Sequence, residues 1–233
     1  LIYHTNIQYA NQTLNWVIGD EYNAYLRNIK INYNALDDAG WIDEQIEYKF
    51  NNYGFRDNTF PYNIDFLAVG CSHTFGVGLK KEQVWVSKLG ELLNKKVYNA
   101  GISGASMDTM YRLIDDITRN HDISNIFMFA PASYRYELCV DDEKDIFEVY
   151  NVHDNNNNTK PYFICTKNSW FNFNKNLKAI KYICAEQNIN LIHFEVDHDF
   201  IVDNKARDLM HSGPLAHEEF AKMFYNKFNR SSK

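Results

Sequence analysis

The chain has 233 residues, 45% hydrophobic and 15% aromatic, which is enough apolar material for a sizeable core and too much for a disordered chain. Its formal net charge of −6 leaves no basic footprint for nucleic acid or an anionic membrane surface. No apolar run approaches the ~18 residues of a membrane span. The four cysteines (Cys71, Cys139, Cys165, Cys184) form no C-x-x-C pair, so free thiols are expected and a metal site is not.

Residues 1–60 read as a helical N-terminal appendage on a main domain spanning 61–233. Leu14, Trp16, Val17, Ile18, Tyr22, Tyr25 and Leu26 are spaced for one or two short helices, with Gly19-Asp20 breaking them or opening the second. Trp41, Ile42, Ile46 and Phe50 extend the i, i+4 stripe over 39–50. Asn51-Asn52-Tyr53-Gly54-Phe55-Arg56-Asp57 has the composition of a turn. Arg56 is expected there as a structural hydrogen-bond or ion-pair partner.

The apolar run Ile64–Val69 has the length and bounds of a buried parallel strand. It runs into Gly70-Cys71-Ser72-His73-Thr74-Phe75-Gly76-Val77-Gly78. Ligands of open α/β sheets sit beyond the carboxyl ends of strands, so Ser72 would stand at a site mouth. Three roles compete for this loop: a helix cap, a phosphate cradle, and a serine nucleophile. The cradle lacks both G-x-G-x-x-G and the Gly-Lys-Ser/Thr ending of a P-loop. The nucleophile lacks the second Gly of the G-x-S-x-G elbow, since Thr74 stands there.

Beyond the loop, the pattern predicts a helix over 82–93, a strand over 96–100 and a second strand-end turn, Gly101-Ile102-Ser103-Gly104-Ala105-Ser106. This turn follows the first by about thirty residues, as a βαβ unit requires. A helix over 107–119, with Ser103 or Ser106 as cap, and a strand over 126–130 come next. The chain then reads Ala130-Pro131-Ala132-Ser133-Tyr134-Arg135-Tyr136-Glu137. Two β-prone runs, 146–150 and 162–165, flank the polar stretch 152–161 and predict an inserted hairpin within about 138–167 that walls the site. A helix over 168–187, a strand over 190–196 and a last helix over 218–228 complete the pattern. Just before that helix, Asp208 and His211 stand three apart, a spacing that puts both side chains on one face of a helical or tight turn. A carboxylate can then hold the imidazole in one tautomer while the imidazole takes a serine proton.

Together these blocks resemble the SGNH (GDSL-type) hydrolases over about residues 50–230. Gly70-Cys71-Ser72-His73-Thr74-Phe75-Gly76 resembles the family's G-D-S-x-T-x-G, with Cys71 in place of Asp. Asn51 to Arg56 is similar to an N-x-x-G-[FY]-R segment found before the nucleophile strand in one group of the family. Asn99 to Gly104 resembles N-x-G-x-x-G, and Asp208 to His211 resembles D-x-x-H. The third block, G-x-N-D, has no counterpart: Ala132 stands near the place of its oxyanion-hole Asn. The resemblance implies a three-layer, flavodoxin-like α/β/α sandwich with a parallel sheet of about five strands. It also implies a Ser72–His211–Asp208 triad and an oxyanion hole from the N–H groups of Ser72 and Gly104, without metal or cofactor. Ser133, Tyr134 or Arg135 could replace the missing donor. Arg135 could also bind an anionic group or pair with Glu137, and His73 is a further substrate-side candidate. His193 and His198 are expected to be structural, and His217 a neighbour of the site.

The activity this implies is hydrolysis of small acyl esters, such as O-acetyl groups on carbohydrate. The same triad would serve an O-acyltransferase. A non-catalytic binding or structural module, for example in a virion, would also retain the fold after losing the third block.

Overall fold

The computed structural model describes residues 4–141, 143–151, 166–195 and 204–231. A 3-10 turn, Thr5–Tyr9, leads to a short strand β1 (Thr13–Leu14) and the helices α1 (Tyr22–Ile31) and α2 (Tyr33–Asp38). β1 pairs antiparallel with β2 (Tyr48–Lys49). The helical stripe expected over 39–50 is not a helix. From Ile46 to Phe50 burial alternates residue by residue, with Ile46, Tyr48 and Phe50 inside and Glu47 and Lys49 outside. This period of two is that of extended chain, and it competes with the i, i+4 spacing read from the same residues.

The centre of the molecule is a parallel sheet formed by β3 (Asn63–Gly70), β4 (Tyr98–Gly101), β5 (Asp122–Ala130) and β8 (Asn190–Glu195), in the order β4-β3-β5-β8. The described sheet has four strands where about five were expected. Both faces are buried, which is why the strands read as unbroken apolar runs. Leu67 and Val69 face one way, with Ile126 and Met128, onto α5 (Met107–Asn120) and α6 (Thr166–Glu186). Phe66, Ala68, Phe127 and Phe129 face the other way, onto α4 (Trp85–Leu93) and α7 (Pro214–Ser231). Val17, Leu36, Trp41 and Ile46 join this second core, so part of the N-terminal segment packs with the sheet. Between β3 and α4 lies the one-turn helix α3 (Ser72–Phe75).

The inserted hairpin includes a strand that the sequence pattern did not predict. β7 (Ile146–Asn151) pairs antiparallel with β6 (Arg135–Asp141), through a turn in which Asp141 Oδ1 accepts the N–H groups of Glu143 and Lys144. The run 162–165 lies outside the described residues, as does His198. β6 escaped notice because its stretch is rich in charge and has one deeply buried residue, Tyr136. The hairpin docks on α5 through Glu137, which takes Arg112 at 2.8 Å and the Thr109 hydroxyl at 2.8 Å.

The turn Asn51–Arg56 ties the N-terminal segment to the sheet. Asn51 Oδ1 accepts the N–H groups of Tyr53 and Phe55, and a Cβ on Gly54 (φ +77°) would lie 2.6 Å from the Asn6 carbonyl oxygen. Arg56 is a structural hydrogen-bond partner: its guanidinium is buried and donates to the carbonyls of Glu47, Gly76 and Leu79. A second tether is the ion pair of Arg207 with Asp20 at 2.6 Å, both almost fully buried. Tyr48 donates its hydroxyl hydrogen to Asp20 Oδ2 at 2.6 Å. Removing Arg207 leaves the Asp20 carboxylate buried without a cation. Arg207→Met should therefore lower unfolding stability by about 3–5 kcal/mol, and adding Asp20→Asn should recover part of it. Urea unfolding of the single and double variants reads both effects.

Candidate active site

β3 ends at Gly70, and Ser72 opens α3 directly beyond it, buried from solvent. The turn is held tightly from β4. Asn99 donates its amide to the Thr74 carbonyl at 2.7 Å and accepts the Gly101 N–H at 2.8 Å. Gly101 must lack a side chain, because a Cβ there would lie 2.3 Å from the backbone nitrogen of Phe75. Asn99 is in turn anchored by its own N–H on Asp57 Oδ2 at 2.8 Å. Burial alone would push the Asp57 carboxyl up, but Lys96, Lys81 and the Asn99 N–H hold it below the ordinary carboxylate range.

As the first residue of a helical turn, Ser72 has an N–H that no helix carbonyl can accept. Neither its N–H nor that of Gly104 has a hydrogen-bond partner among the described residues. The space beside the Gly104 α-carbon is open. Ser106, not Ser103, caps α5, accepting the Thr109 N–H. Free backbone donor and helix cap thus share one turn without competing.

Asp208 and His211 lie in a tight turn ahead of α7. Asp208 Oδ1 accepts the N–H groups of Met210 and His211, and its Oδ2 meets His211 Nδ1 at 2.5 Å. The Asp208 side chain is 4% exposed and that of His211 24%. The carboxylate is thus dry, and the imidazole Nε2 is left as the acceptor. The turn is fixed from outside by Arg207 N–H to the Gly78 carbonyl, Trp41 Nε1 to the Lys205 carbonyl and Asn28 Nδ2 to the Asp208 carbonyl.

Ser72 Oγ does not hydrogen-bond His211; its contact among the described residues is the Cys71 sulfur at 3.9 Å. Ser72 is followed in the chain by His73, whose ring meets that of His211 edge-on with centroids 5.7 Å apart. The other face of this cluster is His217, 6.1 Å from His73. His217 is buried and accepts the Trp85 N–H on Nδ1. Burial, with His73 and His211 alongside, holds His217 well below the ordinary histidine range. Burial, with help from His211 and Arg135, lowers His73 to about 4.

Arg135 does not pair with Glu137, which Arg112 and Thr109 occupy. Its Nη1 reaches the Ala105 carbonyl at 3.5 Å, and its guanidinium lies 5.7 Å from the Tyr134 ring centroid. With Ser103 and Gly104 it lines a cavity of about 490 Å³, whose other walls are the hairpin and the start of the chain. Asn6 and Arg207 carried no signal in the sequence, Asp20 was read only with Gly19 as a helix break or start, and Asn99 only as the first residue of the second block. Among the described residues no group of three His, Cys, Asp or Glu side chains could hold a metal ion. No described helix is long and apolar enough to cross a membrane.

No protein-family model matches the chain, and no curated protein matches it. Among solved structures, it is similar to a member of the lipolytic protein G-D-S-L family from Veillonella parvula DSM 2008. That alignment has 15% identity and a TM-score of 0.38, covering 72% of this chain and 99% of the other. A psychrotrophic esterase from a Pseudoalteromonas species aligns at 16% identity and a TM-score of 0.36, over 73% and 98% of the two chains. An acetyl xylan esterase from the rumen bacterium Butyrivibrio proteoclasticus gives 10% identity and a TM-score of 0.40, over 74% and 66%. The structural neighbours are thus G-D-S-L lipolytic proteins and esterases, while the chemistry open to this chain is argued from its own side chains.

The buried histidines make stability depend on pH. Folded His73 resists protonation down to about 4, whereas an unfolded histidine protonates near 6.5. Between these values the unfolded chain binds more protons, so this stability is present above pH 6.5 and is lost as pH falls toward 4. Urea unfolding across that window should show the decline, and His73→Leu should make it shallower.

Proposed function

We propose that the protein is a serine ester hydrolase acting on small acyl esters, with Ser72, His211 and Asp208 as its triad. The observation that carries this reading is the Asp208–His211 pair. A dry carboxylate bonded to Nδ1 fixes the tautomer and leaves Nε2 as a base, on a ring that meets that of His73, the residue after Ser72. Ser72 Oγ attacks the acyl carbon while His211 takes its proton. The free N–H groups of Ser72 and Gly104 receive the developing oxyanion, and Asp208 stabilises the imidazolium. His211 then protonates the departing alkoxide. Water, deprotonated by His211, attacks the acyl-enzyme and releases the acid and free Ser72. The neutral state of His73 serves this cycle, because a second cation beside His211 would oppose formation of the imidazolium.

A fluorophosphonate probe should label one site, in the tryptic peptide containing Ser72. Ser72→Ala should abolish labelling and His211→Gln should slow it strongly. A probe that modifies another serine, or an active enzyme that resists it, overturns the triad.

Two backbone donors without a third describe a slow enzyme on unactivated esters. One added donor is worth about 10²–10³ in rate where it is well placed. Ala132→Asn should therefore raise kcat on a small unactivated ester at least several-fold. Steady-state kinetics of the variant beside the parent measure it.

A further inference from the structure

We propose that the cavity beside Gly104 receives an anionic, oxygen-rich part of the substrate, with Arg135 pairing with the negative group and the Asn6 amide donating to a nearby oxygen. The assignment rests on the ester-hydrolase reading only in making this ligand the alcohol portion of an ester; the binding chemistry stands on the cavity itself.

Two observations carry it. Arg135 lines the cavity partly buried, and no carboxylate among the described residues pairs with it. The carboxylate close in sequence, Glu137, is consumed by Arg112 on α5. A guanidinium with open N–H groups in a concave site is suited to carboxylate or phosphate oxygens, which it can grip in pairs. Independently, Asn6 lines the same cavity, is 3% exposed, and its Nδ2 has no hydrogen-bond partner. An unpaired buried amide is costly, and native proteins satisfy nearly all such groups. Its Nδ2 is closed to solvent as it stands, so an oxygen acceptor in the cavity would satisfy it through a rotation of the Asn6 side chain.

The wall also holds an acceptor. Glu148, exposed at the rim, accepts the Tyr150 hydroxyl on Oε2 at 2.8 Å. Its charge opposes an anion, but it is solvated, whereas Arg135 is partly buried, so the guanidinium dominates the field inside. Glu148 has a second oxygen for a sugar hydroxyl. Donors at depth and an acceptor at the rim fit a hydroxylated ring carrying one acidic group, and the cavity's volume of about 490 Å³ accommodates one such ring. Gly104 belongs both to the cavity wall and to the proposed oxyanion hole, so a ligand bound here adjoins the reacting carbonyl.

The test is direct binding to the Ser72→Ala protein, followed by NMR titration with D-galacturonate, D-glucose 6-phosphate and D-glucose. At least one anionic sugar should bind about tenfold or more tightly than glucose. Which one does so tells carboxylate from phosphate. Arg135→Met should erase that preference. Asn6→Asp, which replaces a donor with a like charge, should abolish binding of the anionic sugar. Equal affinity for all three sugars, no binding of any up to about 50 mM, or an anion preference that survives Arg135→Met overturns the proposal. Because nothing is turned over, success here with failed fluorophosphonate labelling would sink the hydrolase and keep the cavity. The reverse pattern would do the opposite.

Discussion

The buried pair of Arg207 and Asp20 is the constraint on which the site loops depend. Each charge costs several kcal/mol to remove from water, and the cost is offset only when geometry is good and every remaining oxygen and N–H is used. Here they are used. Asp20 takes the Arg207 guanidinium on both oxygens and the Tyr48 hydroxyl as well, while Arg207 also donates to the carbonyls of Asn15 and Glu44 and stacks on Trp16. The Tyr48 oxygen accepts the Gly78 N–H, and the Gly78 carbonyl accepts the Arg207 N–H. One carboxylate thus stitches the loop after Ser72 to the loop before α7. Asp208 is the next residue in the chain, so its carboxylate starts from a position already fixed.

The environment then divides the labour among three histidines. Desolvation keeps the buried His217 and the half-buried His73 neutral, and the two form an aromatic wall with Phe129 and Phe220. His211 has the carboxylate and the wetter side. The same residue type is packing material at two positions and the proposed base at the third. The difference lies in one buried partner, Asp208.

The central layers were legible in the sequence because their signals are local. β3 and β5 read as apolar runs ended by small residues, and α5 announced itself by its 3.6-residue stripe and its Ser106 cap. Asp208 and His211 were legible because three residues of separation suffices to bring them together. The segment 39–50 was misread since four apolar residues fit a helical period and a strand period about equally, and only β1 across the way decides. β6 went unread because strand pairing is a non-local choice, and Arg112 on α5, not any feature of β6, draws Glu137 inward. Asn6 and Arg207 gave no signal at all. Their importance comes from partners nearly fifty and nearly two hundred positions away.

The cavity wall has a further consequence. Its residues come from the N-terminal segment (Thr5, Asn6 and Ile18), the Ser103–Gly104 turn and the hairpin, and none belongs to the parallel sheet or to the loops carrying Ser72 and His211. Substitutions on the hairpin surface can reshape what the cavity admits while the hydrogen bonds of Asn99, Asp57 and Asp208 stay as they are. In evolutionary terms the scaffold would separate the proposed recognition surface from the proposed reaction centre, so that changes to a two-stranded ribbon could exchange one ligand for another while the triad residues stay under their own, independent selection.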